Sequence, residues 1–150
     1  MKHSRARILL VEDNPSDCEV VRRSIKRASI PIELVVATCG GDAFEILDGG
    51  AESQPDLIFV DLNLPDCDGR EILRRMRDRS SGLHAPIVVL TTSDSPRDVN
   101  DCYQLGCNGF LVKPNSFTDY VQVLGATLEY WLCTAKLPRV ASFRKQAAPG

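Results

Sequence analysis

Apolar runs rich in β-branched residues recur at residues 8–12, 33–38, 57–61, 87–91 and 109–112, and amphipathic stretches separate them. Alternation of this kind predicts strands joined by helical crossovers around a parallel sheet. Three of the five runs are nearly continuous in apolar residues, as expected of strands covered on both faces. A first helix is predicted to open at Pro15 behind Asn14, an N-cap residue type followed by proline. Its apolar positions Val20, Val21, Ile25 and Ala28 fall at helical spacing, which leaves Arg22, Arg23, Lys26 and Arg27 largely on the wet side. The other crossovers are read as helices at 42–47, 69–79, 95–105 and 116–135.

Right-handed crossovers within one sheet lead to an α/β fold of the flavodoxin-like kind. The expectation is a doubly wound five-stranded parallel sheet with five helices and strand order 2-1-3-4-5. Ligands of such sheets bind outside the carboxyl ends of the strands, so chemistry is sought there. The length of 150 residues suits one domain, predicted over 1–136, with a flexible tail over 137–150 that carries two prolines and scattered charge. A net charge of −2, from 18 basic and 20 acidic residues, supplies no cationic field for a polyanion, and no nucleic-acid partner is expected. No run approaches the ~18 apolar residues of a membrane span. The apolar stretch 8–11 behind the basic N-terminus is too short for a signal peptide and ends in Glu12-Asp13, so a cytoplasmic location is expected. Cys18, Cys39, Cys67, Cys102, Cys107 and Cys133 lack zinc-ligand spacing and are read as small hydrophobes or thiols.

The strand ends carry, in order, Glu12-Asp13, Asp61, Thr91 and Lys113-Pro114, with nothing comparable after the second strand. Taken singly, each acid reads as a turn or helix-start residue, and Lys113 as a loop charge. Together they form an acid cluster, a hydroxyl and an ammonium at one sheet edge. Converging carboxylates repel one another, which calls for a compensating hard cation such as Mg2+. With Thr91 and Lys113 available to oxygens, the set fits phosphoryl transfer.

Val11-Glu12-Asp13-Asn14-Pro15, Asp61-Leu62-Asn63-Leu64-Pro65, Asp68-Gly69, Leu90-Thr91-Thr92-Ser93 and Val112-Lys113-Pro114 resemble, in order and spacing, the motifs of two-component response-regulator receiver domains. The resemblance spans about residues 7–135. It implies that Asp61 accepts a phosphoryl group from a phosphohistidine on a sensor histidine kinase. It further implies that Asp13, Asp61 and the Asn63 carbonyl bind magnesium, with Glu12 assisting through water. Thr91 and Lys113 would hold the phosphoryl oxygens, and Phe110 would be the aromatic rotamer switch. Asp61-Leu62-Asn63-Leu64-Pro65 with Asp68-Gly69-Arg70-Glu71, and Tyr130-Trp131-Leu132 with Leu137-Pro138, look like the stand-alone receivers that partner phytochrome-type kinases. Two positions depart from the wider family: Thr92, where a small residue is common, and Cys67, where methionine is common.

No turnover is expected beyond self-catalysed phosphoryl acceptance. The stretch after Ala135 is too short for a helix-turn-helix module, so output is expected through contacts with a downstream protein. The last helix shows two apolar stripes. Phe117, Val121, Leu124, Leu128, Trp131 and Ala135 are expected to cover the sheet. Tyr120, Val123, Thr127 and Tyr130 are left as a spare stripe and the expected interface of a homodimer. The alternative is a flavodoxin-like binding module that is not phosphorylated, but Glu12-Asp13 would repel a preformed phosphate where such a module needs a phosphate loop. A phosphatase using Asp61 as nucleophile would want a general acid where Asn63 stands.

Overall fold

Each apolar run forms a strand, and each connection returns the chain to the end of the sheet at which the previous strand began. The computed structural model describes residues 5–78 and 84–138. In chain order the elements are β1 (Ala6–Val11), α1 (Pro15–Ala28), β2 (Ile32–Ala37), α2 (Gly40–Leu47), β3 (Leu57–Val60), α3 (Arg70–Arg77), β4 (Ile87–Thr91), α4 (Pro96–Gln104), β5 (Gly109–Val112) and α5 (Phe117–Glu129). A single π-helical turn, Tyr130–Thr134, extends α5. All strand pairs are parallel and the order is β2-β1-β3-β4-β5, the predicted doubly wound topology. The residues from 139 on in the expected tail, and Arg79 at the expected end of the third helix, lie outside the described residues.

Period-2 alternation splits the strand side chains between two dry layers. Ile8, Leu10, Leu57, Phe59, Val88 and Leu90 face α1 and α5. Leu9, Val11, Ile58, Val60, Ile87 and Val89 face α2, α3 and α4. β3 and β4 are therefore buried along their whole length and β1 at every position but Arg7, whereas β2 and β5, at the edges, are only partly covered.

Helix starts follow local chemistry. The Asn14 side chain accepts the N–H groups of Ser16 and Asp17 at 2.8 and 3.2 Å, and proline follows at the first helical position. Ser95 and Ser116 cap α4 and α5 in the same way. α2 begins two residues before the predicted start for a tertiary reason: the Asp66 carboxylate, from the loop after β3, accepts the N–H groups of Gly40 and Gly41 at 2.7 and 3.0 Å. Those two bonds hold the Asp66 carboxyl below the usual range.

The stripes of α5 differ from expectation. Tyr120, assigned to a spare outer face, is 4% exposed and packs in the α1–α5 layer with Val121, Leu124 and Leu128. Phe117, assigned to the core stripe, is 49% exposed. The reason is where the helix begins. The chain turns at Ser116 beyond the strand end, so the first helical residue overhangs the sheet and meets α1 instead, with the Arg23 guanidinium 5.5 Å from the Phe117 ring centre. Tyr120, one turn on, takes the place over the sheet. Of the proposed spare stripe, Val123 and Thr127 are half-buried and Tyr130 is open.

This packing predicts that Leu124→Ala lowers stability by about 2–5 kcal/mol, the usual loss for a fully buried leucine. Phe117→Ala should cost less than about 1 kcal/mol, since it removes mainly an exposed ring and one cation–π contact. Urea unfolding of the two variants measures the difference, and equal losses would contradict the stripe assignment.

Candidate functional site at the carboxyl edge of the sheet

β1 and β3 are adjacent, so Glu12 and Asp13 arrive beside Asp61; the Asp61 N–H bonds the Val11 carbonyl at 3.0 Å. Carboxylate oxygens of Glu12, Asp13 and Asp61 lie within 4.8 Å of one another. Glu12 and Asp61 are buried, and Asp13 is open to solvent. Lys113 leaves the end of β5 and reaches back across the edge. Its Nζ donates to Glu12 Oε1 at 2.6 Å, Asp17 Oδ2 at 2.7 Å and Asp61 Oδ2 at 3.1 Å. The ammonium's three donors are thus all engaged.

Electrostatics follows from this crowding. Burial drives the Glu12 carboxyl up to about 7, against the opposing hydrogen bond and charge of Lys113, while the Asp61 charge pushes it further the same way. Burial alone would pull the Lys113 ammonium down. The hydrogen bonds to Asp17 and Glu12 and the charges of Glu12 and Asp61 outweigh it and hold Lys113 above its ordinary value. Lys113 is therefore charged at neutral pH.

The loop after Asp61 is shaped by backbone contacts. The Asn63 N–H donates to Asp61 Oδ1 at 3.2 Å, and Asn63 and Asp68 form an isolated antiparallel bridge. Gly69 closes the loop against Asp61: a Cβ there would stand 2.3 Å from the Asp61 carbonyl oxygen and 2.9 Å from Leu62 Cα. Only glycine fits that approach.

Thr91 ends β4 fully buried, and its hydroxyl accepts the Ser93 N–H at 3.3 Å. The Lys113 N–H bonds the Thr91 carbonyl at 2.7 Å, tying the two oxygen-binding candidates together through the backbone. Thr92 is exposed at the rim. Phe110 is half-buried against the α2–α4 layer. The structure thus gathers Glu12, Asp13, Asp61, Asn63, Thr91 and Lys113 along one sheet edge. Val123, Thr127 and Tyr130 lie on α5 and its terminal turn.

Two features were not foreseen. Asp17 joins the Lys113 cluster because the first turn of α1, fixed by the Asn14 cap, aims it inward; the signal was an acid three residues after an N-cap. The second is a tether between loops. Arg70 bonds Asp68 at 3.0 Å and Asp98 at 2.5 Å, and Asp98 accepts the Ser93 hydroxyl at 2.6 Å. The Ser93 bond, with the Arg70 charge, holds the Asp98 carboxyl below its usual range. This tether connects the loop after Asp61 to the loop after Thr91, and no spacing in the sequence announces it.

The acid cluster fits a hard divalent cation: three oxygen donors of one sign converge, one of them open to solvent, and a small ion that retains waters suits such a set. The six cysteines are free, and among the described residues no other cluster of metal-ligating side chains occurs. No helix among those residues is long and apolar enough to cross a membrane.

Comparison with known proteins agrees with this geometry. The response regulator receiver domain profile matches residues 8–124. Response regulator Rcp1 of Synechocystis sp. is 36% identical over 135 residues, covering 87% of this chain and 92% of that protein. The phosphorylated cyanobacterial phytochrome response regulator RcpA superposes with a TM-score of 0.83 at 34% identity, over 90% of this chain and 99% of that one. The Mn2+-bound form of Rcp1 gives 0.81 at 36% identity, over 89% and 99%.

A pH dependence follows from Glu12 in the presence of a chelator. Its folded pKa, about 7, lies above the ordinary 4.5. Its contribution to stability is therefore fully present below the lower value and is lost as pH rises through the higher one. Urea unfolding in chelator should show stability falling between about pH 5 and pH 8, and Glu12→Gln should flatten that fall. An unchanged slope in the variant would place the titration elsewhere.

Proposed function

The chain belongs to the response regulator receiver domain family, and on that footing we propose that Asp61 accepts a phosphoryl group from a phosphohistidine of a sensor histidine kinase. The observation that carries this reading is the Lys113 ammonium 3.1 Å from the Asp61 carboxylate, beside the Glu12–Asp13 pair. The Asp61 carboxylate is the nucleophile and needs no general base; what it needs is relief of negative charge as the phosphoryl group approaches. Lys113 supplies part of that relief. Mg2+, held by Asp13, Asp61 and the Asn63 carbonyl with Glu12 assisting through water, would supply the rest by neutralising phosphoryl oxygens.

Thr91 and Lys113 hold the phosphoryl oxygens once transfer is complete. The acyl phosphate brings about −1.5 to −2 charges and new acceptors to a site already rich in acids, which draws the Thr91 loop inward and leaves room for Phe110 to turn. The kinase is of phytochrome type in this reading, which rests on the likeness to Rcp1 and RcpA. Output passes to a downstream protein through contacts made by α4, β5 and α5. One phosphoryl group is accepted per chain, with no catalytic turnover of a separate substrate. A flavodoxin-like binding module without phosphorylation is the less favoured reading, because acids occupy the turn after β1 where a bound phosphate would sit.

The acceptor is tested with acetyl phosphate and magnesium. The parent should gain a hydroxylamine-labile phosphoryl group, a chelator should prevent it, and Asp61→Asn should abolish it with the fold retained. Labelling of the variant at the parent's level would remove Asp61 from the mechanism.

We further propose a homodimer through the outer face of α5 and its terminal turn. Tyr130, 53% exposed and packed edge-on against Trp131 at 5.0 Å, is its centre, with Val123 and Thr127 at its border. A self-complementary helix face closes most simply with two-fold symmetry. Tyr130→Arg should sediment as a folded monomer that is still labelled by acetyl phosphate, over a dilution series in which the parent is a dimer. A parent that is monomeric throughout would refute this assembly.

A further inference from the structure

Tyr120 is the oddity of the α5 core. Its ring packs well, yet its hydroxyl is buried and has no hydrogen-bond partner. A buried phenol in that condition costs free energy that phenylalanine would avoid, so the hydroxyl is best understood through a state in which it is engaged. The ring borders a cavity of about 540 Å³ between the first turn of α1 and the connection from β5 to α5, and Asp17 lines the same cavity. Burial raises the phenol well above its ordinary value, and the charges of Lys113, Asp17, Glu12 and Asp61 all act on it. It is thus a protonated donor close to the acid cluster.

Lys113 supplies the other half of the argument. Its three donors are committed to Glu12, Asp17 and Asp61. The donor now on Asp61 can pass to one phosphoryl oxygen, and a second such contact requires the release of Glu12 or Asp17. Glu12 is almost fully buried and lies in the group suited to a cation, which can satisfy it. Asp17 is outside that group, partly exposed, and borders the cavity that Tyr120 also lines. A released Asp17 without a donor would also be repelled by the added negative charge.

We propose that the Tyr120 hydroxyl is a reserve donor, which takes over the Asp17 carboxylate when Lys113 turns from it to a phosphoryl group on Asp61. Tyr120 is in this role a positioning residue: it touches no reacting atom, and it lowers the cost of freeing Lys113. The inference rests on the acceptor reading above and adds to it a residue that governs how readily the phosphorylated state forms.

The test uses the full chain with magnesium and beryllium fluoride, a mimic of the acyl phosphate, followed by thermal unfolding. Tyr120→Phe should unfold in chelator at the parent's temperature or slightly above it, since it loses only an unpartnered hydroxyl. It should nevertheless need at least about 10-fold more beryllium fluoride for half-saturation, the lower end of the range for one hydrogen bond to a charged group. A purely structural role would lower the unfolding temperature in chelator, and that result would overturn the inference, as would equal half-saturation of variant and parent. In an Asp17→Ala background, Tyr120→Phe should change half-saturation less than about twofold, because the acceptor is gone. An undiminished effect there would overturn the pairing with Asp17. A parent that gives no response to beryllium fluoride would refute the acceptor reading itself, which the Tyr120 comparison keeps distinct.

Discussion

The Lys113 ammonium is buried against the carboxylates of Glu12, Asp17 and Asp61, and Asp13 adds a further negative charge beside them. Four acids and one cation cannot balance, and the residual repulsion is what suits the edge to a divalent cation. β5 is separated from β3 by β4, so the cation must reach across a neighbouring strand. Two strand spacings are about 9.6 Å, a gap that a lysine's four-carbon stem closes together with the Asp61 side chain and that two short side chains would not.

The rest of the fold supports this strained edge. Dry layers on both faces of β1, β3 and β4 fix where the strands end, and therefore where their terminal acids stand. Gly69 lets the backbone of the next loop close on Asp61, the Asn14 cap aims Asp17 inward, and Asp66 ties the loop to the start of α2. Stability given up at the acid cluster is offset by packing elsewhere, the usual arrangement when a functional site breaks the rule against burying like charges.

Two side chains bind this chemistry to the helical layers. Asp98, held by Ser93 and Arg70, joins the loop after β4 to the loop after β3. Tyr120 joins the α5 core to the cavity beside Asp17.

Strand positions, topology and the convergence of Glu12, Asp13, Asp61, Thr91 and Lys113 were legible in the sequence. Burial on two faces writes itself as continuous apolar runs, and the winding rule then brings the strand ends to one edge. Asp17 was half legible: its place after the Asn14 cap was visible, but not that Lys113 would reach it. The exchange of Tyr120 and Phe117 between core and surface was not legible, because both are aromatic residues within one turn at the start of the helix. Only the point where α5 leaves the sheet chooses between them. The early start of α2 and the Arg70–Asp98–Ser93 tether likewise depend on partners 26 to 28 residues away. Periodicity and capping are local and can be read along the chain, whereas the pairing of distant polar groups is decided when packing brings their backbones together.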